Sequence, residues 1–215
     1  MKLSHPIRIC FLILLMCAGS AHAKVIADFT RDFNTDEPVV GWSFLWNPEG
    51  VELGDYSQYA ALSEYRNSGK LVVDPLHNAG KSNPHPNGGW LKVSSGSVTP
   101  GDPVAHSTDG IDHYAILAYE IQPGEEGIAS ISNSQIAMSK AKAKAKAKAK
   151  ANSIAKISIY VNRNVIGEDA ITNIEPSRFD VPLGQVEAGD IIYIAIGPGE
   201  IRATGVNVQY QIVTE

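Results

Sequence analysis

Val206-Asn207-Val208-Gln209-Tyr210-Gln211-Ile212 is the stretch that decides the fold class of this chain. Apolar and polar residues alternate through it, and this period of two is typical of a strand with one face in the core and the other in water. The same period recurs in residues 157–161 and 115–121. Residues 191–196 are apolar throughout, which is typical of a central strand covered on both faces.

Turn sequences separate these stretches at short intervals. Many short strands joined by regular turns predict an all-β fold, an antiparallel two-sheet sandwich. We expect a single domain over residues 24–215, in which the first strand, near Val25 to Phe29, pairs with the last, near Val206 to Val213. The turn sequences are Asn47-Pro48-Glu49-Gly50, Asn87-Gly88-Gly89, Pro100-Gly101-Asp102-Pro103, Gln122-Pro123-Gly124 and Gly197-Pro198-Gly199.

The segment from about Glu64 to Asp112 differs in composition from the rest of the chain. It is rich in Gly, Pro, Asn, Ser and His. Loops of this length are uncommon inside a compact domain and are often functional. We therefore predict a long loop-rich excursion with short strands around Lys70–Val73 and Gly89–Val93.

The N-terminus has the three-part pattern of a secretory signal peptide. Basic Lys2 and Arg8 precede an apolar run over residues 9–17, and Ala21-His22-Ala23 follows with small residues at the cleavage positions. The run is too short for a membrane-spanning helix, which needs about 20 residues. We predict cleavage of residues 1–23 and export to the periplasm or the outside, with no transmembrane segment in the mature chain.

Cleavage changes both the charge and the cysteine content of the chain. Residues 1–23 contain two of the 18 basic residues and none of the 23 acidic ones, so the formal charge falls from −5 to −7. Both cysteines, Cys10 and Cys17, leave with the signal. The mature domain is therefore expected to depend on its apolar core rather than on disulfides.

Lysine and alanine alternate without exception from Lys140 to Lys150. Strict alternation would place every lysine on one face of a strand, which favours a solvated β-hairpin, whereas the high helix propensity of both residues favours a short helix. The repeat is interpreted either as a tolerated insertion or as a contact for an anionic polymer. An acidic polysaccharide is the favoured polymer, and no nucleic acid is expected because interleaved aromatics are missing. The lysines are Lys140, Lys142, Lys144, Lys146, Lys148 and Lys150.

Three places in the chain resemble the jelly-roll domains of secreted bacterial proteins, which are related in architecture to carbohydrate-binding modules. The resemblance implies a jelly-roll sandwich and a carbohydrate ligand, and it carries over no catalytic residues. The Lys–Ala repeat departs from the family pattern. The places are Gly41-Trp42-Ser43-Phe44-Leu45-Trp46-Asn47-Pro48-Glu49-Gly50; Val98-Thr99-Pro100-Gly101 with the strand of residues 113–120; and Ser158-Ile159-Tyr160-Val161-Asn162 with residues 186–198.

Five aromatic residues are the predicted ligand contacts. Trp42 and Trp46 would share one face of a strand, where they either stack on sugar rings or fill the core. Trp90 follows the Asn87-Gly88-Gly89 turn in the loop-rich segment and is the better exposed platform. Tyr56 and Tyr59 are predicted to line the same rim.

Two aspartates near the start, Asp28 and Asp32, are the predicted metal ligands. Carboxylate oxygens suit calcium, and jelly-roll modules often hold a structural calcium where the first and last strands meet. The alternative is an ordinary acidic surface. The four remaining histidines, at positions 77, 85, 106 and 113, have irregular spacings that do not favour zinc.

No motif in the sequence indicates catalysis. It has no Gly-x-Ser-x-Gly elbow and no clean carboxylate pair on a strand. His113 and Tyr114, a conceivable lyase pair, are neighbours and should point to opposite faces of a strand. We therefore expect a secreted, non-catalytic module that binds carbohydrate. The alternatives are a structural or adhesive extracellular protein that uses the cationic repeat, and a polysaccharide hydrolase or lyase.

Overall fold

The computed structural model describes residues 23–36, 39–49, 53–64, 68–73, 91–101, 110–138, 155–171, 176–199 and 205–215. These residues form fourteen strands, one single-turn helix and one 3₁₀ turn. The strands are β1 (Lys24–Asp28), β2 (Trp42–Trp46), β3 (Ala60–Ala61), β4 (Ser63–Glu64), β5 (Lys70–Val72), β6 (Lys92–Ser94), β7 (Ser97–Thr99), β8 (Ala115–Glu120), β9 (Gly127–Met138), β10 (Ala155–Val161), β11 (Asn164–Ile171), β12 (Val181–Val186), β13 (Ile191–Pro198) and β14 (Val206–Thr214). The helix α1 spans Phe29–Asp32, and the 3₁₀ turn spans Tyr56–Gln58.

The strands form two antiparallel sheets that pack as a sandwich, as the sequence predicts. In the described part of the chain, the eight-stranded sheet has the order β12-β9-β14-β7-β6-β5-β4, with β1 also paired to β14. The six-stranded sheet has the order β11-β10-β13-β8-β2-β3. Strands β5 and β6 lie in the loop-rich excursion, where short strands were expected.

The first and last strands pair, and this prediction is confirmed. Lys24 lies opposite Thr214 and Asp28 opposite Gln211, with a bulge between Val25 and Ala27. The first strand ends one residue earlier than predicted. Asp28 takes an extended conformation and caps α1 through its side chain, so the next residue, Phe29, begins the helix instead of ending the strand.

The main core lies between the two sheets. Val206, Val208, Tyr210 and Ile212 of β14 point into it, as the alternation predicts. Facing residues of the six-stranded sheet come from β2, β8, β10 and β13. The ring of Phe29 stacks on that of Tyr210 at 5.6 Å and thereby joins α1 to the last strand.

A second apolar cluster lies on the opposite, outer face of the six-stranded sheet. We call it the outer patch; its residues are Leu45, Ile116, Ala118, Tyr160, Tyr193 and Ala195. Strand β13 contributes buried side chains to both clusters, which confirms the prediction that residues 191–196 form a strand covered on both faces. An outer face with this much buried apolar surface needs a covering segment.

Several sequence predictions fall on residues that are not described. The signal peptide, apart from Ala23, and the Lys–Ala repeat lie outside the described residues, as does Trp90. Among the residues that are described, no helix is long and apolar enough to cross a membrane.

Candidate functional site

Tyr56 and Tyr59 lie together on the outer patch, at the 3₁₀ turn. Their rings are 6.5 Å apart and meet edge to face. Both rings also contact Tyr193, which supports them from the sheet below, at 6.5 Å from Tyr56 and 5.8 Å from Tyr59. Tyr56 keeps 49% of its surface exposed, whereas Tyr193 is buried. The sheet therefore holds Tyr56 as an exposed ring on a rigid aromatic base.

The local sequence explains why the chain turns over the outer patch at this point. Gly54 has φ of +92°, and a Cβ atom there would lie 3.2 Å from the ring of Tyr160. Glycine permits both the left-handed backbone and this close approach. Asp55 then caps the 3₁₀ turn, since its side chain accepts a hydrogen bond from the Ser57 amide at 3.1 Å. The Gly54 amide donates to the hydroxyl of Tyr59 and fixes that ring.

Asp55 is paired with Arg163 at the turn, and the two tyrosines beneath it are neutral. Hydrogen bonds from Ser57 and the nearby Arg163 guanidinium lower the pKa of Asp55 below its ordinary value. Burial raises the pKa of Tyr160 and of Tyr193 to about 12, so both are protonated at neutral pH. These two tyrosines therefore place no phenolate charge beneath the turn.

Two depressions flank the 3₁₀ turn. One, of about 480 Å³, is lined by Pro48, Glu49, Ser57, Gln58 and Tyr59. The other, of about 330 Å³, lies towards the open edge of β2 and includes Tyr56 in its wall. The tyrosine ridge, which we define as Tyr56 and Tyr59, separates them. A ridge of aromatic rings with a pocket on either side can contact successive units of an extended ligand.

Tyr56 and Tyr59 were named from the sequence as candidate ligand contacts, but the two tyrosines beneath them were not singled out. Tyr160 and Tyr193 lie opposite each other on β10 and β13. Each alternates with isoleucines that point into the main core, namely Ile159 and Ile194. The sequence signal for a covered outer face was a tyrosine in each of two strands at a position that points away from the core. A large aromatic ring at such a position is buried only if another segment of the chain packs over it.

The two tryptophans of β2 are interior residues. Trp42 and Trp46 are each only 6% exposed. Trp42 stacks on Phe44 at 5.8 Å, and Trp46 packs on the ring of His113 at 5.4 Å. Their burial favours the core interpretation over contact with a ligand.

The predicted metal ligands, Asp28 and Asp32, have N–H groups as partners. One oxygen of Asp28 accepts hydrogen bonds from the amides of Thr30 and Arg31, both at 3.1 Å. Asp32 accepts from Asp28 N at 2.8 Å and from Arg31 Nε at 2.5 Å. In the described ranges, no group of three or more His, Cys, Asp or Glu side chains is arranged to hold a metal ion. These two carboxylates act in this structure as a helix cap and as an ion-pair partner.

His113 is a structural residue. Its side chain is fully buried, and its Nδ1 lies 2.8 Å from the carbonyl oxygen of Asn47. The Tyr114 ring instead lies against Gly197 and packs on the outer patch. The two side chains therefore occupy opposite sides of the six-stranded sheet, as expected for neighbouring residues, and do not meet in one cleft.

Comparisons with protein-family models, with curated proteins and with solved structures found no match to this chain. The function must therefore be inferred from the chain's own residues. The strongest candidate site is the tyrosine ridge, which combines an exposed ring, an aromatic base beneath it and a pocket on either side.

Proposed function

We propose that this protein is an exported, non-catalytic binding module for carbohydrate, and that the tyrosine ridge is its contact surface. The observation that carries the proposal is the exposed ring of Tyr56, held against Tyr59 and Tyr193 on the outside of the sandwich. The C–H groups on a sugar face carry slight positive charge and pack well on the negative face of an aromatic ring.

Three further features support the proposal. The signal-peptide pattern over residues 1–23 favours a protein that meets extracellular or periplasmic polymers. The sandwich architecture agrees with the jelly-roll resemblance of the sequence. Pro48, Glu49 and Gln58 border the ridge and supply a carboxylate and an amide for sugar hydroxyl groups. Trp90 stays a predicted additional contact.

A glycan array probed with the purified protein tests the proposal. We expect binding to a set of neutral or amino-sugar oligosaccharides. Replacing Tyr56 with alanine should weaken that binding about two- to tenfold, because an aromatic contact contributes about 0.5–1.5 kcal/mol. Calorimetric titration with the best ligand from the array measures the change.

The matched control is Ile128→Ala. Ile128 is 60% exposed and lies on β9 of the other sheet, so its loss should leave affinity unchanged. A flat array accompanied by self-association would support the structural or adhesive alternative instead. Release of reducing ends or unsaturated sugars from a polysaccharide would support the enzyme alternative and overturn this proposal.

A further inference from the structure

The pocket beside Tyr56 exists because the edge of β2 is only partly covered. Strand β3 pairs with Leu45 and Trp46, and one further bond joins the Leu62 amide to the Phe44 carbonyl at 2.9 Å. Beyond that point, the chain crosses to the other sheet as β4. The gap between the two sheet edges forms a depression of about 330 Å³.

The floor of this pocket is apolar and its rim is polar. Phe44, Leu62 and Leu71, each 8% exposed, form part of the floor. The rim carries hydrogen-bonding groups of both kinds, donors and acceptors. The polar side chains are those of Asn34, Thr35, Ser43 and Glu64. An apolar floor with a few convergent polar groups is the usual construction of a site for a small ligand.

Thr35 and Glu64 form the defined polar contact of the rim. The Thr35 hydroxyl donates to Glu64 Oε1 at 3.4 Å, although the two residues are 29 positions apart in the chain. Both side chains are partly buried and line the same pocket as Tyr56. A sugar that stacks on Tyr56 and enters this pocket would therefore meet the Glu64 carboxylate in the pocket lining.

The negative charge of the pocket limits which chemical groups a sugar ligand can carry. Among the described residues that line this pocket, Glu64 is the one with a charged side chain. Glu49 is likewise the one charged residue among the described residues of the pocket beside Tyr59. The guanidinium of Arg163 lies 3.4 Å from Asp55, whose charge it offsets. A carboxylate on the ligand would thus meet a second carboxylate, whereas a hydroxyl or ammonium group could donate to it.

We propose that this pocket is a sugar subsite in which Glu64 determines specificity, selecting neutral or amino sugars and rejecting uronic acids. This inference rests on the proposed function and adds the substrate class to it. It also assigns the tyrosine ridge a different class of ligand from that of the Lys–Ala repeat, because the positive charge of the repeat would favour acidic polymers.

Calorimetric titration with three oligosaccharides of equal length and linkage tests this inference: a neutral hexose oligomer, its 2-amino counterpart and its uronic counterpart. The unmodified protein should bind the neutral or amino form at least tenfold more tightly than the uronic form. Glu64→Gln removes the like-charge repulsion and should reduce the ratio of the two affinities, neutral or amino over uronic, by about tenfold. Glu120→Gln is the control, since it removes one charge from an exposed position that does not line this pocket.

The outcomes distinguish this inference from the proposed function. If the uronic oligomer binds as well as the others, or Glu64→Gln leaves the ratio unchanged, the specificity inference is wrong. The proposed function still holds in that case, provided that Tyr56→Ala weakens the binding of every ligand. If none of the three oligomers binds, and no other glycan does, both proposals fail.

Discussion

The carboxylate of Asp28 accepts a hydrogen bond from Nε2 of Gln211 at 2.9 Å, across 183 positions of the chain. Asp28 ends the first strand, and Gln211 lies in the last. The other oxygen of Asp28 caps α1. One side chain therefore fixes both the start of the helix and the closure of the eight-stranded sheet.

Replacing Asp28 with alanine should destabilise the protein by about 1–2 kcal/mol, because an N-cap and a partly buried hydrogen bond are both lost. The stability of Asp28→Asn should lie between that of the unmodified protein and that of the alanine variant, since asparagine retains a capping oxygen but lacks the second acceptor for Gln211. The midpoint of urea unfolding measures these changes. An alanine variant as stable as the unmodified protein would show that the contact contributes nothing.

Asp32 should make the free energy of unfolding decrease as the pH falls into the acid range. Burial opposes its ionisation, but hydrogen bonds from Arg31 and from the Asp28 amide outweigh burial and lower the pKa of Asp32 below 3.8. A lowered pKa stabilises the fold above the unfolded-state value of 3.8, and this contribution is lost as the pH falls through the folded-state pKa. The unmodified protein should therefore exceed Asp32→Asn in stability at pH 7. Urea titrations from pH 7 down to pH 2 should show this difference narrowing.

Two buried tyrosines should respond differently to loss of the hydroxyl group. Among the described residues, the Tyr210 hydroxyl has no hydrogen-bond partner, so Tyr210→Phe should be neutral or stabilising. The Tyr119 hydroxyl lies 2.8 Å from Glu125 Oε2 and 3.1 Å from the Ile26 carbonyl, so Tyr119→Phe should cost about 1–2 kcal/mol. Thermal unfolding compares the two variants. Equal losses would contradict the assignment of Tyr210 as unpartnered.

Two strand glycines form a matched pair for testing the outer face. A Cβ atom on Gly197 would overlap the ring of Tyr114, whereas one on Gly167 would meet nothing within 4 Å. Gly197→Ala should cost about 1–3 kcal/mol through overpacking. Gly167→Ala should be neutral or slightly stabilising, because alanine restricts the unfolded chain. If both variants unfold at the same denaturant concentration, Tyr114 does not pack on Gly197 as described.

The sequence predicted the fold class because strand periodicity is a local property. Alternation in residues 206–212 indicated a half-buried strand, and β14 has that burial pattern. The apolar run at residues 191–196 indicated a central strand, which β13 is. Tyr56 and Tyr59 were named from the sequence as candidate ligand contacts, which stays a prediction; the structure shows that their rings lie together on the outer patch.

Only the tertiary structure decided which aromatic rings face the solvent. Periodicity shows that Trp42, Phe44 and Trp46 share one face of a strand, but not whether that face is inside or outside the sandwich. The packing of the two sheets places them inside and leaves Tyr160 and Tyr193 on the outer face, buried beneath the 3₁₀ turn. The sequence by itself therefore determined the fold class and several of the strands. Long-range contacts such as Thr35 with Glu64 determined the site, because they join residues with no local signal for each other.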